Sequence, residues 1–63
     1  MKLKGFLKRR NSKRPVALLI MENDENIEVI WYENINEIDD KYLIMTVMDY
    51  KKEEDCTEIW LVK

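Results

Sequence analysis

Histidine is absent from this chain of 63 residues, and cysteine, glycine, proline and serine each occur once, as Cys56, Gly5, Pro15 and Ser12. Each shortage excludes something. Without histidine there is no ordinary proton shuttle near neutral pH and no imidazole ligand for zinc. One cysteine cannot close an intrachain disulfide, so a reducing compartment, the cytoplasm, is the expected location. Cys56 also follows Glu53, Glu54 and Asp55, a run of negative charge that disfavours a reactive thiolate. It reads as an ordinary residue at the start of a strand. A single glycine rules out a glycine-rich loop around a phosphate. Ser12 stands in a basic stretch with no base beside it. The residue types of a nucleophile–base pair are missing, and a non-enzymatic protein without a cofactor is expected. Carboxylates do pair, at Asp24 with Glu25, at Asp39 with Asp40 and at 53–55. They fall in turn-like segments, read as solvated charge, and match no calcium-loop spacing. The longest apolar run, Val16–Met21, is far too short to span a bilayer. The positive N-terminus lacks the apolar stretch of a secretory signal.

What the chain does have is charge divided by position. Residues 1–14 hold Lys2, Lys4, Lys8, Arg9, Arg10, Lys13 and Arg14 and no acid, a net of +7. Residues 15–63 hold four lysines against all 13 acidic groups, a net of −9, which with the head makes the overall −2. The division predicts a basic N-terminal arm, 1–14, on an acidic domain, 15–63. Such an arm is expected to leave a folded body behind when removed. Heavy use of isoleucine, asparagine and lysine hints at an AT-rich genome, that of a microbe or one of its viruses.

The body reads as strands. "VALLIMEN" after Pro15 is followed by the turn formers "NDEN" and then by "IEVIWY", which together predict a hairpin. In the second run Ile27, Val29 and Trp31 share one face, and Glu28, Ile30 and Tyr32 the other. "YLIMTVMDY" at 42–50, the charged turn "KKEED" and "CTEIWLV" at 56–62 predict a second hairpin. Between them, Asn34 followed by Glu37 resembles a capping box. One or two helical turns, or a plain loop, are expected there. The fold class is mainly β: one small antiparallel sheet, or a partly open barrel, of about four strands.

Three of these strands are apolar on both faces, whereas an ordinary antiparallel sheet has one wet face. Something must cover the second face. The N-terminal Leu3, Phe6 and Leu7, the Ile35–Ile38 turn, closure into a barrel, or a partner would each serve. A domain of this size buries only roughly 60% of its unfolded surface, which makes a partner useful. A homo-oligomer or protein-binding subunit is therefore the leading expectation, with Trp60, Val62, Trp31 and Tyr50 as interface candidates. The alternative is a nucleic acid or other polyanion gripped by Lys2, Lys4, Lys8, Arg9, Arg10, Lys13 and Arg14. A membrane surface is a weaker third. "MKLKGFLKRR" as a helix sets Leu3, Phe6 and Leu7 against its cations, but that apolar side is short.

Overall fold

Val16–Met21 contains no polar side chain, and it forms an inner strand of the sheet. The computed structural model describes residues 1–8 and 14–62. Strands β1 (Val16–Met21) and β2 (Ile27–Tyr32) pair antiparallel, as do β3 (Thr46–Lys52) and β4 (Thr57–Val62). The sheet order is β2-β1-β4-β3, and β1 and β4 run parallel at its centre. The protein is mainly β, with a mixed sheet rather than an antiparallel one, and the sheet is open rather than closed into a barrel. The correction has a simple cause. Each hairpin is antiparallel by construction, but the direction of one hairpin against the other depends on the crossover. Here residues 33–45 carry the chain to the far edge, so β4 returns beside β1 in the same direction. The two inner strands are the least charged: β1 has no ionisable group and β4 has only Glu58, while the edges carry Glu28, Asp49, Lys51 and Lys52.

One face of this sheet is the core. Across β2-β1-β4-β3 its rows read Tyr32, Val16, Thr57, Lys52; Ile30, Leu18, Ile59, Tyr50; and Glu28, Ile20, Leu61, Val47. Leu18, Ile20, Ile59 and Leu61 are fully buried. Helix α1 (Leu3–Lys8) covers this face with buried Leu3 and Phe6, and the Phe6 ring lies 5.0 Å from that of Tyr50. Backbone bonds seal the docking: Leu3 N–H donates to the Met45 carbonyl at 2.9 Å, and Val47 N–H donates to that of Met1 at 2.7 Å. A helix of six residues does not persist alone in water; this one is held by the core it covers. Over these residues, then, the expected basic arm is part of the folded body. Arg9, Arg10, Ser12 and Lys13 lie outside the described residues.

The crossover completes the cover. The Asn34 side chain accepts from the Asn36 N–H at 2.9 Å and starts a 3₁₀ turn, Ile35–Glu37. Buried Ile38 follows, then helix α2 (Asp40–Leu43) with buried Tyr42. Asp40 lies in the first turn of α2, where the helix dipole favours an anion. The expected strand at 42–50 therefore begins later, at Thr46. Tyr42, Leu43 and Met45 serve the layer above the sheet while Ile44 points to solvent, and a short apolar run has the same composition in either role.

A second correction concerns β3. Its register shifts between Val47, opposite Leu61, and Asp49, opposite Trp60. This bulge inserts one residue and resets the alternation. Tyr50 is thereby placed on the core side, with Phe6, and not with Trp60.

Candidate interaction face

The other face of the sheet has no layer above it among the described residues. From β2 to β3 its rows read Trp31, Ala17, Glu58, Lys51; Val29, Leu19, Trp60, Asp49; and Ile27, Met21, Val62, Thr46. The apolar members are contiguous: all of β2 and β1, and two of the three positions on β4. The charges gather toward the β3 edge. Toward β2 the exposure is high, at 63% for Val29, 49% for Trp31 and 45% for Ile27. The equivalent positions on the core side, Ile30 and Tyr32, are half-buried. A continuous run such as Val16–Met21 suits a strand covered on both faces, yet among the described residues only one is covered.

Local chemistry fixes the rim. Trp31 Nε1–H donates to Glu33 Oε1 at 3.0 Å, which satisfies the one polar atom of the indole. The turn at 22–26 is tied by Asn23, whose side-chain oxygen accepts from Glu25 N–H at 2.8 Å and Asn26 N–H at 2.9 Å. At the charged corner Lys51 Nζ lies 3.1 Å from Glu53 Oε1. That hydrogen bond holds the Lys51 ammonium above its usual range. On the core side, burial pushes the Tyr32 phenol up; its hydroxyl sits 3.5 Å from Asp39 Oδ2.

Of the interface candidates from sequence, Trp31, Trp60 and Val62 share this face, and Tyr50 is on the opposite one. Val29, Ile27, Leu19 and Met21 belong to it as well. Their alternation was visible in sequence, but alternation does not say which of two apolar faces stays open.

The basic candidates separate. Lys2, Lys4 and Lys8 are exposed, on or next to α1. Arg14 is turned inward, its Nη2 donating to the carbonyls of Glu53 and Cys56 at the turn before β4. It ties the start of β1 to that of β4, next to the bond from Thr57 N–H to the Pro15 carbonyl at 3.0 Å. Leu3 and Phe6, the apolar side suggested for a lipid surface, are in the core. Cys56 is half-buried, and among the described residues no group of three or more histidine, cysteine or acidic side chains is placed to hold a metal ion. No helix among them is long and apolar enough to cross a membrane. Comparison with known proteins finds no matching family model, no matching curated protein and no matching solved structure.

Proposed function

We propose that this chain is a non-enzymatic assembly or protein-interaction subunit that presents the open face of its sheet to another protein surface. The observation that carries the reading is the contiguous apolar face, with Val29, Trp31 and Ile27 between 45% and 63% exposed. Fully burying one such side chain is worth roughly 1.5–3 kcal/mol. A chain this short, with a total stability of about 5 kcal/mol or little more, gains much by covering that face. Scattered exposed apolar residues are normal on a protein surface; contiguity across three strands is what supports the interaction reading.

The test is retention of protein from source-cell lysate on the immobilised chain, after nuclease treatment, beside the Val29→Asp variant. Val29 is mostly in solvent, so the substitution leaves the fold intact. Expected is a protein held by the native chain and lost by the variant. No retained protein, or equal retention by both, would contradict the reading.

A second reading has an observation of its own. Lys2, Lys4 and Lys8 all stand in solvent around a helix that Leu3 and Phe6 anchor, an ordered basic surface suited to a nucleic-acid backbone. On a duplex the three would give a fall in log affinity of about 0.9 per phosphate contact against log salt. Absence of a gel shift with DNA or RNA at low salt removes this reading. It leaves the sheet-face reading untouched.

A further inference from the structure

We propose that the partner of the open face is a second copy of this chain, the two sheets packing face to face with a twofold axis running along β1. This inference rests on reading that face as an interface.

Charge placement selects the geometry. An axis along β1 lays β1 against its own copy and β2 against the partner's β4. Leu19 meets its equivalent on the axis, and Val29 stands over the partner's Trp60. The β3 strands, with Asp49 and Lys51, then overhang into solvent at opposite ends. An axis across the strands would instead point Asp49 at its own copy, two carboxylates meeting in the space between sheets about 10 Å apart. The isologous packing along β1 is the one that matches apolar to apolar and keeps the charges wet.

Area supports the same occupant. Strand spacing of about 4.8 Å and a rise of about 3.3 Å per residue make the three-strand patch about 14 Å by 16 Å. That is about 220 Å² of footprint on each copy and about 450 Å² on two, to which the relief of the protruding side chains adds, so the contact falls in the size class of weak, reversible association. A small contact of this kind predicts a reversible, concentration-dependent dimer rather than an obligate one. The face suits neither nucleic acid nor an anionic membrane, since Lys51 is its one cation and sits at the overhanging corner.

The experiment is sedimentation equilibrium of the full chain from about 1 to about 200 μM, with variants, a range wide enough to follow a reversible dimer. Native protein is expected to pass from 7.7 kDa toward twice that mass. Val29→Asp, and Ile27→Lys as a second variant on the face, are expected to weaken association about 100-fold. Ile44→Asp, at an exposed apolar residue off the sheet, and Asp49→Arg, on the overhanging strand, are expected to leave it unchanged. A native chain at 7.7 kDa throughout overturns the proposal. So does a Val29→Asp protein that still dimerises, and dissociation by Asp49→Arg overturns the axis along β1. A native monomer that nonetheless retains a lysate protein, lost in Val29→Asp, overturns self-association alone and leaves the interaction face standing. A native monomer that retains nothing removes both.

Discussion

Leu18 and Val29 lie on neighbouring strands, are similar in chemistry, and face opposite sides of the sheet. Leu18 is fully buried and Val29 is 63% exposed. Leu18→Ala opens a cavity between β1, β4 and α1 and is expected to cost about 2–5 kcal/mol, enough to unfold much of the population. Val29→Ala is expected to change the stability of dilute protein by no more than about 0.5 kcal/mol. Urea denaturation at low micromolar concentration distinguishes them; equal losses would mean that both faces are core. Arg14 makes a third case at this scale. Arg14→Ala leaves the carbonyls of Glu53 and Cys56 without their charged donor and is expected to cost about 1.5–3 kcal/mol. A polyanion contact alone would give no loss in the absence of ligand. Tyr32 contributes a pH dependence at the alkaline end. Its phenol is held above its ordinary 10.0, by burial first. The folded state therefore keeps the proton longer than the unfolded state does. That contribution is complete below pH 10.0 and is lost as pH rises through the folded-state value. Stability measured by denaturation is expected to fall in this window, and by less in Tyr32→Phe.

Among the elements, α1 separates a docked helix from a loose arm. A Cβ added at Gly5 meets no atom within 4 Å. Gly5→Ala should therefore stabilise by about 0.8–1 kcal/mol through helix propensity, raising Tm by about 4–8 °C in a domain this small. An unchanged Tm would show that α1 lies outside the cooperative unit. Deleting residues 1–8 uncovers the Leu18–Ile59 row and is expected to abolish the sharp thermal transition, contrary to what the charge division suggests. That division conceals Leu3 and Phe6, two buried side chains in a segment that reads as basic. Strands β1, β2 and β4 were legible because alternation and turn residues are local signals: "NDEN" closes one hairpin, and Ile59 and Leu61 alternate with Trp60 and Val62. The bulge in β3 was not legible, because it depends on how Asp49 meets Trp60 across the ladder. The placement of Tyr42 and Leu43 in α2 was decided by what the sheet needs above it. The parallel pairing of β1 with β4 is likewise set by the path of the crossover. Sequence showed that β1 and β4 are apolar on two faces, but which face the N-terminal segment covers is a tertiary choice.

At the scale of the whole molecule, the chain is a two-layer fold with half of its sheet left over. Helix α1 and the crossover cover one side, and no segment among the described residues covers the other. Completion of the sheet by a second copy, as proposed, would make stability depend on concentration. Tm is therefore expected to rise with protein concentration in the native chain and to stay constant in Val29→Asp. Both tryptophans of the chain, Trp31 and Trp60, belong to the open face, so intrinsic tryptophan emission reports on that surface alone. The most direct measurement is the emission maximum, with acrylamide quenching, through a dilution series spanning the sedimentation range. Expected is blue-shifted, protected emission at high concentration that turns red and quenchable on dilution, with the midpoint found by sedimentation. Emission and quenching that stay the same at every concentration would contradict the open face as the surface on which this protein assembles.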